Sequence, residues 1–301
     1  MEASVTVVMI TFNGDPFFQQ QLNSILQQKY LKEVLIYDDN SSSDFKRTLR
    51  ESIEAHDIIT LHENEETLGV IRNIKKGLYE NQSEEYIALA DQDDVWLEDK
   101  LEISLKEMLE LEKGRRDIPT LIYHDMKIID ENDQVLPGTF WKNRRQDIFE
   151  HNFQTNLIVN LITGSASLMN QELAGYAKDI PEDLEIYHDA WLGMVAYTMG
   201  KAKNIKRTLS AHRSHEKSLT FNQKRSNSLL KRVCNNIIQL SGKEEPLKHQ
   251  FKFIECFLDT YELRLETSQR LKLQEFLSLK GKGYIAQKKY IWAAQKKLEK
   301  P

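Results

Sequence analysis

Two acidic clusters stand where apolar runs end. Asp38-Asp39 follows Val34–Tyr37, and Asp91-Gln92-Asp93-Asp94 follows Tyr86–Ala90. Carboxylates at a strand end accept hydrogen bonds from a base and ribose, or hold a hard divalent cation through oxygen. Alternate residues of an extended turn point to one side, so Asp91 and Asp93 can share one metal or one metal-bound ligand. An aspartate ahead of a helix also serves as a cap, and Asp39 before Ser41-Ser42-Ser43 and Asp94 before Trp96 fit that role. One acidic turn favours the cap. Two at successive strand ends favour a site.

The elements that must carry these residues can be read from periodicity. Val5–Phe12, Val34–Tyr37, Ile58–His62 and Tyr86–Ala90 are short apolar runs bounded by turn residues, the pattern of buried strands. Between them, Phe17–Gln28, Phe45–Ala55 and Leu68–Tyr79 have helical spacing, and Trp96–Glu112 continues the alternation. Strand and helix alternating at this pace predict βαβ units and a largely parallel sheet covered on both faces. In such sheets ligands bind outside the carboxyl ends of the strands. Further on, Thr120–His124 and Met126–Ile129 are expected strands, Ala190–Met199 a buried helix and Ile205–His212 a strand. From Asn222 the pattern is helical, through Leu229–Ile237, Leu247–Leu265 and Tyr284–Leu298.

Composition excludes several classes. Hydrophobic residues at 40% and charged residues at 29% fit a globular chain and not a disordered one. Two cysteines, Cys234 and Cys256, exclude a disulfide framework and fit a reducing compartment. No apolar run approaches the ~18 residues of a membrane span. The first residues resemble a buried strand and not a signal peptide, so a cytoplasmic location is expected. From Phe221 on, 17 basic residues face 8 acidic ones, while the whole chain carries −5. An acidic body with a basic tail predicts two regions with different partners. The acidic body argues against nucleic acid.

Four blocks carry a resemblance. Val5–Asn13, Glu33–Ser41, Leu68–Asn73 and Ala90–Asp94, in this order and spacing, resemble glycosyltransferase family 2 over residues 5 to about 215. The resemblance implies a GT-A α/β fold with a mostly parallel central sheet flanked by helices. It implies metal-dependent, inverting transfer of a sugar from a nucleotide diphosphate. Residues 1–220 would be the catalytic domain, with a nucleotide-sugar half to about residue 115 and an acceptor half from about 116. Residues 221–301 would be a helical, basic extension.

Carried onto this chain, the resemblance implies that Thr11, Asn13, Asp38, Asp39, Arg72 and Asp91 bind the donor nucleotide. Asp91, Asp93 and His215 would hold Mn2+ or Mg2+, and Gly164 and Arg213 would approach the diphosphate or donor sugar. Asp189, ahead of an apolar helix, would be the general base. His188 stands where the family often has glutamate, and His188-Asp189-Ala190-Trp191 resembles rhamnosyltransferase-like members. Asp125, His188 and Trp191 are expected near the acceptor, with His124 and Trp141 as weaker candidates. The partners implied are a UDP- or dTDP-linked sugar and a lipid-linked glycan of a bacterial capsule or cell wall. The Lys-aromatic pattern of residues 280–300 suits either an anionic membrane surface or packing on the body. A sugar-1-phosphate nucleotidyltransferase is the alternative enzyme, but it wants a Gly-rich, basic loop after the first strand. Thr11–Asp15 has one glycine and no basic residue. A non-catalytic nucleotide-sugar-binding module is the remaining reading.

Overall fold

The computed structural model describes residues 3–54, 56–80, 86–147, 150–182, 187–215 and 245–295. The expected helical stretch Leu229–Ile237, Cys234, and the last residues of the Tyr284–Leu298 stretch lie outside the described residues.

The first half forms the expected βαβ units. Strands β1 (Val5–Thr11), β2 (Leu31–Asp38), β3 (Ile59–Glu63) and β4 (Tyr86–Asp91) alternate with helices α1 (Phe18–Leu26), α2 (Ser43–Glu54) and α3 (Val70–Glu80). These four strands are parallel, in the order β3-β2-β1-β4. Their register aligns the acidic turns. Thr11 pairs with Asp38 and Ile10 with Asp91, so the carboxyl ends of β1, β2 and β4 lie level and form one rim.

Beyond β4 the sheet turns mixed. β5 (Val95–Trp96) precedes helix α4 (Lys100–Glu112). Strand β6 (Thr120–Ile129) makes a hairpin with β7 (Val135–Thr139), lies antiparallel to β8 (Ser167–Asn170) and parallel to β9 (Lys201–Arg213). β8 also pairs antiparallel with β4, and β5 antiparallel with β9. The two strands expected around His124-Asp125 are one strand with an irregular register there. β8 has four residues after a tight 3-10 turn at Gly164–Ala166, and β7 contains Pro137 and Gly138. Neither carries the alternation that marks a strand in sequence. Trp96 belongs to β5 and not to the following helix, which starts at Lys100 because Trp96 pairs with Ser210.

Each face of the sheet buries its own apolar cluster, as side-chain alternation requires. Val7 and Met9 of β1 face α1, α2 and α4, while Val8 faces α3. The second cluster also takes in helix α8 (His188–Met199) and helices α9 (Lys248–Tyr261) and α10 (Thr267–Leu277). Short helices α5 (Phe140–Asn143), α6 (Phe153–Asn156) and α7 (Gln171–Ala174) lie along the intervening chain.

The C-terminal helices share this core with the sheet and α8. α9 places Phe251, Ile254, Phe257, Leu258 and Tyr261 on one buried stripe. Phe257 and Tyr261 close over Trp191, with ring centroids 5.3 and 5.8 Å away. Burying each such aromatic contributes roughly 1.5–3 kcal/mol. Helix α11 (Gly283–Gln295) docks through Tyr290 against Phe276 at 5.6 Å and through the buried Gln287, which bonds the Leu247 amide and the Leu279 carbonyl. Ile285 and Trp292 on the same helix are exposed.

Candidate active site

The rim gathers most of the expected donor-site residues. Asp38 is buried, and its Oδ1 accepts from Thr11 Oγ1 at 2.9 Å and from Ser41 Oγ at 2.5 Å. Its Oδ2 accepts from the Ser41 amide. Asp38 therefore shapes the turn that carries Asp39. Asp39 accepts from the amides of Leu68 at 2.7 Å and Gly69 at 2.9 Å, and from Asn64. Gly69 sits at φ +82°, a conformation that favours glycine, and so turns its amide onto this carboxylate. Asn13 is joined to the same turn. Its amide donates to Ser41 Oγ, and its side-chain oxygen accepts from the Ser42 amide.

Gln92, the middle residue of the D-x-D turn, links that turn to β1. Its side-chain oxygen accepts from the Phe12 amide at 2.7 Å, and its NH2 donates to the Phe12 carbonyl at 3.0 Å. A Cβ on Gly14 would come within 2.6 Å of the same side chain, so glycine at 14 leaves Gln92 room for these bonds. Sequence reasoning missed Gln92, Ser41 and Asn64, because lone amides and hydroxyls give no spacing signal.

Asp91, Asp93 and Asp94 face different partners. Asp91 is exposed at the rim. Desolvation by the surrounding protein, then repulsion from Asp94 and Asp93, pushes its carboxyl up to about 7. Its open side to solvent tempers the first of these, while the repulsion comes from three carboxylates within four residues. Asp93 Oδ2 meets His215 Nε2 at 2.8 Å. Asp94 is fully buried and does not cap a helix, which corrects the cap expected there. Its Oδ1 meets His212 Nδ1 at 3.0 Å, and its Oδ2 accepts from Ser165 Oγ at 3.0 Å. Burial works against the Asp94 charge, but His212, Ser165 and Lys100 outweigh it and hold the carboxyl below its ordinary value.

Among the described residues, no three or more His, Cys, Asp and Glu side chains enclose a place for a metal ion. The residues nevertheless fit one. An exposed carboxylate pushed up by two neighbouring carboxylates is relieved by a cation. Mg2+ and similar hard ions are commonly held by one or two carboxylates, with phosphates and water completing the shell. The cation and a diphosphate would then bind together.

Binding at this turn should depend on pH. The proton on Asp91 competes with a cation, so metal-assisted nucleotide binding should tighten as pH rises toward about 7 and level off above it. Titrations at several pH values with the ion in fixed excess check this. Affinity that is flat or falls over that range would remove Asp91 from the site.

The residues expected near the acceptor are placed unequally. Asp189 lies half-buried in the first turn of α8. Its Oδ1 accepts from the Ala190 amide at 2.7 Å and from Asn160 Nδ2 at 2.9 Å. Among the described residues no bond falls on Oδ2. His188 is buried beside Gly164, where a Cβ would stand 2.2 Å from its Nε2. Glycine at 164 therefore permits this approach. Arg72 pairs with Glu182 at 2.8 Å.

Other expected residues take structural roles. Trp191 is wholly buried beneath α9 and cannot reach an acceptor. Arg213 is also wholly buried, and its guanidinium is committed to the Asp93 carbonyl, the Asp130 carbonyl, Asp133 and Gln20. It braces the D-x-D main chain and does not face a diphosphate. Asp125 Oδ1 accepts from the amides of Met126 and Trp141, fastening α5 to β6. Burial, then the charge of Lys100, pushes the His124 imidazole down to about 3. Trp141 is buried against His151.

Comparison with known proteins agrees with this architecture. The E. coli UDP-Glc:alpha-D-GlcNAc-diphosphoundecaprenol beta-1,3-glucosyltransferase WfgD is 27% identical over 132 residues, 44% of this chain and 49% of that protein. The Bacillus subtilis putative teichuronic acid biosynthesis glycosyltransferase TuaG is 32% identical over 110 residues, 35% of this chain and 42% of that protein. The matched parts thus span less than half of these relatives. Among solved structures, S. aureus TarS 1–349 in complex with UDP-GlcNAc superposes with a TM-score of 0.57 at 14% identity, over 90% of this chain and 79% of that one. The Pyrobaculum calidifontis mannosyltransferase PcManGT in complex with GDP-Man and Mn2+ gives 0.57 at 16% identity, over 99% and 85%. These likenesses show the GT-A fold. Residues 6–175, more than half of the chain, match the Glycosyl transferase family 2 model, and the chain belongs to that family.

Proposed function

We propose that this chain is an inverting glycosyltransferase. It transfers a sugar from a UDP- or dTDP-linked donor to a hydroxyl of a lipid-linked bacterial surface glycan. The observation that carries this reading is one connected rim. Bonds run from Asp38 to Ser41 and from Ser41 to Asn13, and Phe12, next to Asn13, bonds Gln92 of the D-x-D turn; Asp94 of the same turn bonds Ser165, whose neighbour Gly164 packs on His188 beside Asp189. A nucleotide would lie over Thr11, Asn13 and Asp39, and its diphosphate by Asp91 and Asp93. Mn2+ or Mg2+ bound there would supply Lewis acidity to the departing diphosphate. Asp189 Oδ2 takes the acceptor proton as the new C–O bond forms at the anomeric carbon. The bond to the diphosphate breaks, and the diphosphate leaves with the electron pair. The relatives' names, one with a diphosphoundecaprenol-linked acceptor and one from teichuronic acid biosynthesis, support the acceptor class. A screen of UDP- and dTDP-sugars for metal-dependent turnover tests the proposal. No turnover with any donor, with or without a diphospholipid acceptor, would contradict it.

Among the described residues no helix is long and apolar enough to cross a membrane. We assign a peripheral place on the inner face of the cell membrane to the exposed part of α11, where Lys288 and Lys289 flank the exposed Ile285. Each lysine near an anionic surface contributes about 1 kcal/mol. Reversing both charges with Lys288→Glu and Lys289→Glu should therefore weaken sedimentation with phosphatidylglycerol vesicles roughly tenfold or more. Added salt should weaken the wild type as well. Vesicle binding indifferent to both changes would remove the membrane assignment.

A further inference from the structure

Two fully buried polar side chains, Lys100 and Asp94, meet at one residue of the opposite half of the site. Lys100 opens α4 with 1% of its surface exposed. Its Nζ donates to the Ser165 carbonyl at 2.6 Å and lies 3.5 Å from the centre of the Trp96 ring. Asp94, with no exposed surface, accepts from the Ser165 hydroxyl at 3.0 Å. Ser165 is thus gripped twice, through its main chain by α4 and through its side chain by the D-x-D turn.

Burying a lysine and an aspartate is expensive unless their partners are fixed. Burial drives the Lys100 ammonium well below its ordinary value even with Asp94 and Asp91 opposing. An apolar pair would fill this space at less cost. The polar pair instead gives direction, because both hydrogen bonds converge on one residue and set its orientation. Gly164, the neighbour, is the residue that packs on His188, and His188 precedes Asp189. Asp94 also holds His212, three residues before the His215 that meets Asp93. Three segments are therefore registered through Asp94: the D-x-D turn, the Gly164–Ala166 turn and the end of β9.

We infer that Lys100, Asp94 and Ser165 form a positioning clamp that sets the Gly164 turn against the D-x-D turn, and so places the sugar of the donor relative to its diphosphate. This inference rests on the donor site proposed above. The three are positioning residues, since none is expected to touch the donor itself.

Ser165→Ala removes the hydroxyl bond to Asp94 and keeps the carbonyl that Lys100 grips. Lys100→Met keeps the length of the stem and removes the donor. Affinities of the full chain for UDP, dTDP and their glucose conjugates are to be measured with Mn2+, together with hydrolysis of the conjugates. Both variants should bind the plain diphosphate within about threefold of wild type and turn over the conjugate at least about tenfold more slowly. Ser165→Thr, which restores a hydroxyl, should recover much of the lost rate in that background, which a purely structural role would not require. Equal losses for diphosphate and conjugate, or no loss of rate in Ser165→Ala, would overturn the clamp. A wild type that binds none of these ligands would overturn the donor site, and the clamp with it. If Lys100→Met fails to fold, the two Ser165 variants decide the matter alone.

Discussion

Replacing Asp189 by asparagine should leave donor binding near wild type and lower turnover about a hundredfold or more, the scale expected when a general base is lost. The amide keeps the shape of the carboxylate. Its oxygen still accepts from the Ala190 amide and Asn160, the two bonds that fall on Oδ1 in the native site. What it loses is a second oxygen able to take a proton. Donor binding should hold because the proposed donor residues stand at the ends of β1, β2 and β4, whereas Asp189 stands on α8. Steady-state rates beside a donor dissociation constant separate the two effects. Normal turnover in Asp189→Asn would reduce Asp189 to a helix-terminal contact. Asp125 would not readily replace it, because its Oδ1 already accepts from two amides.

The second large effect concerns Asp93. In Asp93→Ala, stabilisation of the protein by UDP or dTDP with Mn2+ should disappear while the unliganded melting temperature stays within a few degrees of wild type. The fold should survive because Arg213 grips the main-chain carbonyl of residue 93, which alanine retains. Among the described residues the carboxylate is held by His215, at the rim. Losing it removes charge that water does not replace beside a diphosphate. Thermal melts with and without nucleotide and ion give the answer. Undiminished stabilisation in the variant would take the metal away from the D-x-D turn.

The first half of the chain was legible in the sequence because its signals are local. An apolar strand with Asp38-Asp39 or Asp91-Gln92-Asp93 directly after it tells both the element and the end at which the carboxylates sit. The part of the chain after β5 was less legible. β8 has only four residues, and its pairing with β4 and β6 depends on chain 44 to 84 residues away. Arg213 and Trp191 stood at positions that suited a ligand, and both proved to be buried braces. Residue type could not distinguish these roles. An arginine beside a diphosphate and an arginine saturated by carbonyls look alike until the partners are known. Asp94 and Lys100 show the converse. A lysine at the start of a charged helix suggests solvent, yet Lys100 points inward because Ser165 offers it a carbonyl.

The C-terminal helices illustrate the same limit. The stripe Phe251, Ile254, Phe257 and Leu258 announced a buried face, but nothing local said that Trp191 would lie beneath it. Each long-range contact joins two patterns that are separately visible, and only the fold supplies the pairing.

Calorimetric titration of the full chain with UDP and dTDP, in excess Mn2+ and again in excess chelator, tests the metal-nucleotide site most directly. Such a site predicts saturable binding of at least one of the two nucleotides, one per chain, that depends on the ion. Titration of neither nucleotide in the presence of Mn2+, or binding equally strong in chelator, would contradict a metal-nucleotide site at the ends of β1, β2 and β4.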